Sequence, residues 1–152
     1  MARILFVDDD PYTLETLTKA VQIFGHQALL AGNGEQALAL ALQELPDLIM
    51  TDMRLPDMDG LSLVKRIKEE TLLAQIPVVM LSASPEIDIA EVAQLAGAKA
   101  FVNKPIRLQA LLDVIARYTS WELFLNKGGY FVDTQDDGRY SHQEDGGAGK
   151  HL

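Results

Sequence analysis

The chain contains no cysteine, which excludes a disulfide framework, a zinc site built on thiolates and a cysteine nucleophile. Basic residues are also scarce, since 13 lysines and arginines stand against 22 aspartates and glutamates and leave a formal net charge of -9. A protein that binds the DNA backbone needs a basic face, so direct DNA binding is not expected. Near the start, the apolar run Ile4–Val7 is too short for a signal-peptide core or a membrane helix. We therefore expect a cytoplasmic protein that does not insert into a membrane.

A length of 152 residues with 48% apolar side chains predicts one folded domain. The composition changes near residue 120, because residues 120–152 hold six of the 11 glycines and few aliphatic side chains after Leu125. Such a segment buries too little apolar surface to offset the entropy lost on ordering. We predict a folded unit over residues 1–119 and an acidic, glycine-rich tail over residues 120–152. The tail is expected to extend the last helix to Asn126 and then to be disordered, although its apolar residues could also pack on the folded unit, form a dimer contact or bind a partner.

Short apolar runs alternate with longer stretches of helical spacing along the folded unit. The runs are typical of strands buried on both faces and lie at residues 4–7, 28–31, 48–51, 78–81 and 100–102. The helical stretches lie around residues 14–24, 37–45, 59–70, 86–96 and 108–115. Because parallel strands need long crossovers, this alternation predicts an α/β fold with a five-stranded, doubly wound parallel sheet and helices on both faces.

Polar side chains follow four of the five predicted strands, at the sheet edge where such folds bind ligands. Asp8 and Asp9 follow the first strand, Asp52 the third, Ser82 the fourth and Lys104 the fifth. Three carboxylates that meet at one edge repel each other unless a cation neutralises them, and oxygen ligands at an open site suit Mg²⁺. One carboxylate could then attack phosphorus, with the lysine and the hydroxyl completing a site for phosphoryl transfer.

Four motifs in this order and spacing resemble the receiver domain of bacterial two-component response regulators. They are ILFVDDDP at 4–11, LIMTDMRLPDMDG at 48–60, VVMLSA at 78–83 and FVNKP at 101–105, and the likeness covers residues 2–118. The resemblance implies a flavodoxin-like sheet with the strand order 2-1-3-4-5.

The resemblance also implies a role for each matched residue. Asp52 corresponds to the phosphoacceptor, Asp8 and Asp9 to the acidic pair that holds Mg²⁺, and the main-chain carbonyl of Arg54 to a further metal ligand. Mn²⁺ is an alternative cation. Lys104 corresponds to the lysine that contacts the phosphoryl oxygens, and Ser82 to the hydroxyl that moves to bond the phosphate.

Phe101 matches the aromatic switch position of the family, where many members carry tyrosine. An apolar residue in a strand is equally compatible with simple core packing, so both interpretations stay open. The Lys104–Pro105 bond is a candidate cis peptide, because this isomer is essentially confined to bonds that precede proline.

The resemblance implies a single-domain response regulator that accepts a phosphoryl group on Asp52 and then changes its interaction surface. The donor would be a sensor histidine kinase or a histidine phosphotransfer protein, and the downstream partner is an unidentified protein. The domain is not expected to be an enzyme beyond its own phosphorylation and dephosphorylation. The alternatives are a docking module that works without phosphorylation, which would not need these acids, and a phosphohydrolase, for which the chain has no segment to build a cap.

Other residues have simpler interpretations. Asp8 and Asp9 could only cap the first helix, as Asp10 before Pro11 is expected to do. Residues 57–60 are expected to turn the chain and cap the third helix, and the three histidines are interpreted as surface residues. In the tail, residues 133–144 partly fit a Ca²⁺-binding loop, which we attribute to coincidence in an acidic segment.

Overall fold

The computed structural model of the protein describes residues 1–83, 94, 96–119, 130–134 and 140–144. Strands and helices alternate along the chain. They are β1 (Arg3–Val7), α1 (Pro11–Ile23), β2 (Gln27–Ala31), α2 (Gly34–Glu44), β3 (Leu48–Asp52), α3 (Gly60–Glu69), β4 (Val78–Ser82), β5 (Ala100–Asn103) and α4 (Leu108–Thr119). The predicted helix over residues 86–96 lies largely outside the described residues, of which 94 and 96 are helical. No helix in the described ranges is both long and apolar enough to cross a membrane.

The five strands form one parallel sheet in the order β2-β1-β3-β4-β5, which confirms the predicted fold. The register brings the carboxyl ends of the central strands level with each other. Val7 lies opposite Thr51, Asp52 opposite Leu81, and Ser82 opposite Asn103. Residues that directly follow β1, β3, β4 and β5 therefore share one edge of the sheet.

Each central strand contributes to two apolar cores, because successive side chains point to opposite faces of a sheet. Ile4 and Phe6 belong to the core that packs against α1 and α4, whereas Leu5 and Val7 belong to the core under α2 and α3. This arrangement explains why the strands are continuous apolar runs rather than alternating ones.

Asp10 caps α1, as the sequence predicts. Its carboxylate accepts hydrogen bonds from the main-chain N–H of Tyr12 at 3.1 Å and the hydroxyl of Thr13 at 2.8 Å, and Pro11 is the first helical residue. These bonds, that of Thr13 first, lower the pKa of Asp10. Because Asp10 serves the helix, Asp8 and Asp9 are not required as its caps.

Residues 130–134 and 140–144 differ from the predicted disorder, because they form two antiparallel strands, β6 (Tyr130–Thr134) and β7 (Tyr140–Glu144). The aromatic and β-branched residues at 130–132 favour a strand, whereas the prediction of disorder was based on the glycine content of the tail. Residues 120–129, which include the predicted helical extension, lie outside the described residues.

Residues 135–139 of the Ca²⁺-loop match lie outside the described residues, so its attribution to coincidence stays a prediction. In the described part of this segment, Asp133 pairs with Ser141, whereas Glu144 pairs with Tyr130.

His26 is more than the surface residue that its isolated position in the sequence suggests. It is partly buried, and its Nδ1 accepts a hydrogen bond of 3.0 Å from the main-chain N–H of Ala2, next to β1. An Nδ1 that accepts must be unprotonated, so the neutral ring is the form that the fold uses. Burial first, and the positive N-terminus second, lower the pKa of His26 from its usual 6.5.

We expect His26 to make the protein less stable in mild acid. Its folded pKa is depressed, so its contribution to stability is present above about pH 6.5 and is lost as the pH falls through the folded pKa. In His26→Asn, an amide oxygen can replace Nδ1 as the acceptor without titrating. The measurement is the free energy of urea unfolding between pH 7.5 and pH 5. Its decrease over this range should be about 1 kcal/mol smaller in the variant than in the wild type. Parallel curves for the two proteins would contradict this role.

Candidate functional site

Three carboxylates meet at the carboxyl edge of the sheet, as the sequence predicts. Asp8 and Asp9 directly follow β1, and Asp52 is the last residue of the neighbouring strand β3. One oxygen from each lies within 4.8 Å of the other two. Asp8 is buried, the side chain of Asp52 is 15% exposed, and Asp9 faces solvent. The cluster is therefore open to solvent on the side of Asp9.

Lys104 joins two of these acids. Its Nζ donates to Oδ2 of Asp8 at 2.9 Å and to Oδ2 of Asp52 at 3.3 Å. Its main-chain N–H donates to the carbonyl of Ser82 at 2.8 Å, which fixes the residue after β5 to the end of β4. The Lys104–Pro105 bond is cis, as predicted. The ammonium group thus lies inside the acidic cluster rather than in solvent.

The site has a negative excess that the lysine does not remove. Burial raises the pKa of Asp52, the charge of Lys104 opposes this shift, and the nearby carboxylate of Asp8 adds to it. Burial also disfavours the charged form of Lys104, but its hydrogen bond to Asp8 and the charges of both acids outweigh burial and raise its pKa. Three carboxylates against one ammonium leave a site that attracts a further cation.

The donor set suits a hard divalent ion. Carboxylate oxygens are the ligands that Mg²⁺ prefers, and Asp8, Asp9 and Asp52 offer them at one place. Arg54 stands two residues beyond Asp52 and forms an isolated antiparallel bridge with Asp59, which holds the backbone of the following loop in a turn. The cluster therefore fits a cation, and the Arg54 carbonyl stays a predicted ligand.

Ser82 and Phe101 are both buried, at 2% and 6% exposure. Ser82 ends β4 and lies opposite Asn103 in the sheet, beside the strand that carries Asp52. Phe101 packs in the core under α2 and α3 and lies opposite Met80. Core packing of Phe101 is thus a feature of this structure, and its role as a switch stays a prediction.

The segment 57–60 turns the chain and caps α3, as predicted, but its two acids have different roles. Asp59 caps α3 by accepting the N–H of Ser62 at 2.7 Å. Asp57 instead accepts the N–H of Glu35 at 2.9 Å and that of Gly34 at 2.8 Å, and these bonds lower its pKa. These two bonds join residues 23 and 22 positions apart, so local sequence spacing does not predict them.

Comparisons with known proteins agree with this geometry. Residues 4–116 match the family model of the response regulator receiver domain. Protein PilH of Pseudomonas aeruginosa is 33% identical over 115 residues, which are 76% of this chain and 95% of that protein.

Solved structures extend the likeness to the fold. The crystal structure of a putative response regulator from Chloroflexus aurantiacus is similar with a TM-score of 0.74 and 31% identity, over 78% of this chain and 98% of that one. The receiver domain of a sensor histidine kinase from Pseudomonas aeruginosa, solved with a magnesium ion coordinated in its active site cleft, has a TM-score of 0.72 and 26% identity, with 78% and 98% coverage. With the family model, these matches establish that the chain belongs to the response regulator receiver domains of two-component signalling.

Proposed function

We propose that Asp52 accepts a phosphoryl group from a histidine kinase or a histidine phosphotransfer protein and that the modified domain offers a different surface to a downstream protein. One observation carries the proposal: Lys104 bonds to both Asp8 and Asp52 at the edge where the three acids converge. A domain that served only as a docking platform would not need this costly arrangement of charges. The net charge of -9 favours a protein rather than DNA as the downstream partner.

In the proposed reaction, a carboxylate oxygen of Asp52 attacks the phosphorus of a phosphohistidine. The new O–P bond makes an acyl phosphate, while the P–N bond breaks and its electron pair stays on the imidazole nitrogen, which takes up a proton. Lys104 has raised basicity and remains an ammonium, so it can move from the carboxylates to the phosphoryl oxygens as charge develops there. A bound Mg²⁺, or Mn²⁺ in its place, would be held by Asp8, Asp9, Asp52 and the Arg54 carbonyl and would neutralise phosphoryl charge.

The same groups account for a reversible signal. An acyl phosphate is a mixed anhydride, so water can attack its phosphorus, restore the Asp52 carboxylate and release inorganic phosphate. While the phosphate is present, the hydroxyl of Ser82 is the neighbouring donor on β4 that can turn toward it, and Phe101 on β5 can follow into the space that Ser82 leaves. Phosphorylation then shifts a pre-existing equilibrium between two surfaces.

Intact-mass measurement after incubation with acetyl phosphate and Mg²⁺ tests the proposal. The wild type should gain the mass of one phosphoryl group, and it should gain none when EDTA removes the cation. Asp52→Asn should gain none under any condition, because an amide is not a nucleophile toward phosphorus. Asp113→Asn provides the matched control, since Asp113 is an acid of α4 bonded to Gln109, and it should behave as the wild type.

Two outcomes would contradict the proposal. An equal adduct on Asp52→Asn would place the phosphate on another residue. A folded wild type that gains no phosphate in the presence of Mg²⁺ would favour a docking module that works without phosphorylation.

A further inference from the structure

The N-terminus of α2 is held by a side chain from a distant loop. The first four N–H groups of a helix have no partner within the helix. Here Asn33 is the N-cap, and its Oδ1 accepts from one of them, the N–H of Gln36, at 2.8 Å. Two more, Gly34 and Glu35, donate to the two oxygens of Asp57. Two of these three capping bonds therefore come from the loop between β3 and α3.

That loop, residues 53–59, is called the acceptor loop here because it directly follows Asp52. Its base is fixed to the sheet, as Met53 donates to the carbonyl of Leu81 at 3.0 Å and accepts from the N–H of Gly60 at 2.6 Å. The Arg54–Asp59 bridge continues the turn toward its tip.

The tip of the acceptor loop is fixed to α2. Asp57 provides the polar contact, and Met58 packs so closely on Gly34 that a Cβ at position 34 would lie 2.5 Å from its Sδ. Each carboxylate oxygen bonds one N–H, so the contact fixes the loop in orientation as well as position. The proposed ligand at Arg54 lies between the fixed base and this fixed tip.

We infer that Asp57 is a positioning residue for the cation: it fixes the acceptor loop on α2 and so holds the Arg54 main chain ready for Mg²⁺. This inference rests on the proposed function above. A loop without this contact samples more conformations, and ordering it becomes part of the cost of binding the ion. Loss of Asp57 should therefore weaken Mg²⁺ binding and raise the Mg²⁺ concentration that phosphorylation requires, without changing the reacting groups.

The test measures phosphorylation by acetyl phosphate across a series of Mg²⁺ concentrations, together with calorimetric titration of Mg²⁺ alone. Asp57→Ala removes both acceptors, whereas Asp57→Asn keeps one oxygen. The matched control is Glu35→Ala, which removes one acid at the same helix end and breaks the 2.5 Å ion pair with Arg66 of α3 but leaves the acceptor loop bonded. The rate at saturating Mg²⁺ is the readout that separates positioning from chemistry.

Asp57→Ala should need about 10-fold more Mg²⁺ for half-maximal phosphorylation and bind Mg²⁺ correspondingly more weakly, as expected when an outer partner of a metal site is lost. Its rate at saturating Mg²⁺ should stay within about twofold of the wild type. The Mg²⁺ requirement of Asp57→Asn should lie between those of Asp57→Ala and the wild type, and that of Glu35→Ala should match the wild type. If Asp57→Ala does not fold, the comparison of Asp57→Asn with Glu35→Ala decides the matter.

An unchanged Mg²⁺ requirement in the folded Asp57 variants would overturn the inference. So would an equal change in Glu35→Ala, which would point to general loosening of α2 and α3. Failure of the proposed function has a different signature, because the wild type would then bind Mg²⁺ in the calorimeter but gain no phosphate on Asp52. In that case the calorimetric comparison still decides the role of Asp57.

Discussion

Lys104→Gln is expected to lower the free energy of unfolding of the metal-free protein by about 2–4 kcal/mol at pH 7, since it leaves buried acids without their counter-charge. Asp8 is 2% exposed and Asp52 15%, so water compensates little for the lost ammonium. The measurement is urea unfolding in EDTA. Lys65→Gln is the control, because it removes the same charge from an exposed position on α3 and should change stability by less than about 0.5 kcal/mol.

Saturating Mg²⁺ should reverse much of this loss. The cation supplies positive charge to the same carboxylates, and any ligand that binds only the folded state stabilises it by mass action. We therefore expect Mg²⁺ to raise the stability of Lys104→Gln more than that of the wild type. Two results would mean that Lys104 does not compensate the charge of the cluster. One is an equal loss of stability in Lys104→Gln and Lys65→Gln, and the other is an equal effect of Mg²⁺ on the stability of Lys104→Gln and of the wild type.

The sheet could be predicted because its central strands are visible in the sequence as short apolar runs. β1 is apolar and buried after Arg3, and β4 is apolar and buried up to Ser82, so a short apolar run is sufficient evidence for each. Helix positions are less sharply determined. The apolar stripe of α1 predicts burial from Leu14 to Phe24, but Phe24 is the C-cap of the helix and is 49% exposed. Periodicity locates a helix better than it locates the end of its buried face.

The acids and the lysine of the site could be predicted because strand ends converge in a parallel sheet. Topology alone brings Asp8, Asp52 and Lys104 to one edge, before any distance is known. The contacts of Asp57 and His26 could not be predicted in this way. Each joins a side chain to main-chain N–H groups more than 20 residues away, and such pairings depend on how loops pack rather than on local spacing.

Gly60→Ala is expected to destabilise the protein by about 3 kcal/mol, because the new methyl group meets backbone that cannot rotate away. A Cβ at position 60 would lie 2.4 Å from the carbonyl oxygen of Asp52 and 3.0 Å from Cα of Met53. Two other glycines are controls in the same urea unfolding experiment. Gly32→Ala meets only the flexible side chain of Gln36 at 3.6 Å and should cost less than about 0.5 kcal/mol. Gly25→Ala has free space but a φ of 86°, so it should cost about 1–2 kcal/mol through backbone strain.

The clash at position 60 involves the backbone of Asp52, so Gly60→Ala should lower the rate of phosphorylation as well as the stability. To relieve it, the start of α3 must retreat from β3, and the 2.6 Å bond from the N–H of Gly60 to the carbonyl of Met53 lengthens or breaks. Asp52 and the acceptor loop then shift together, and a displacement of 1 Å at a reacting group costs about 100-fold in rate. Phosphorylation by acetyl phosphate, corrected for the folded fraction, should fall by about that factor in Gly60→Ala. Gly25→Ala, whose strain lies at the opposite end of the sheet, should keep the wild-type rate, and an equal loss in both variants would show that instability alone controls phosphorylation.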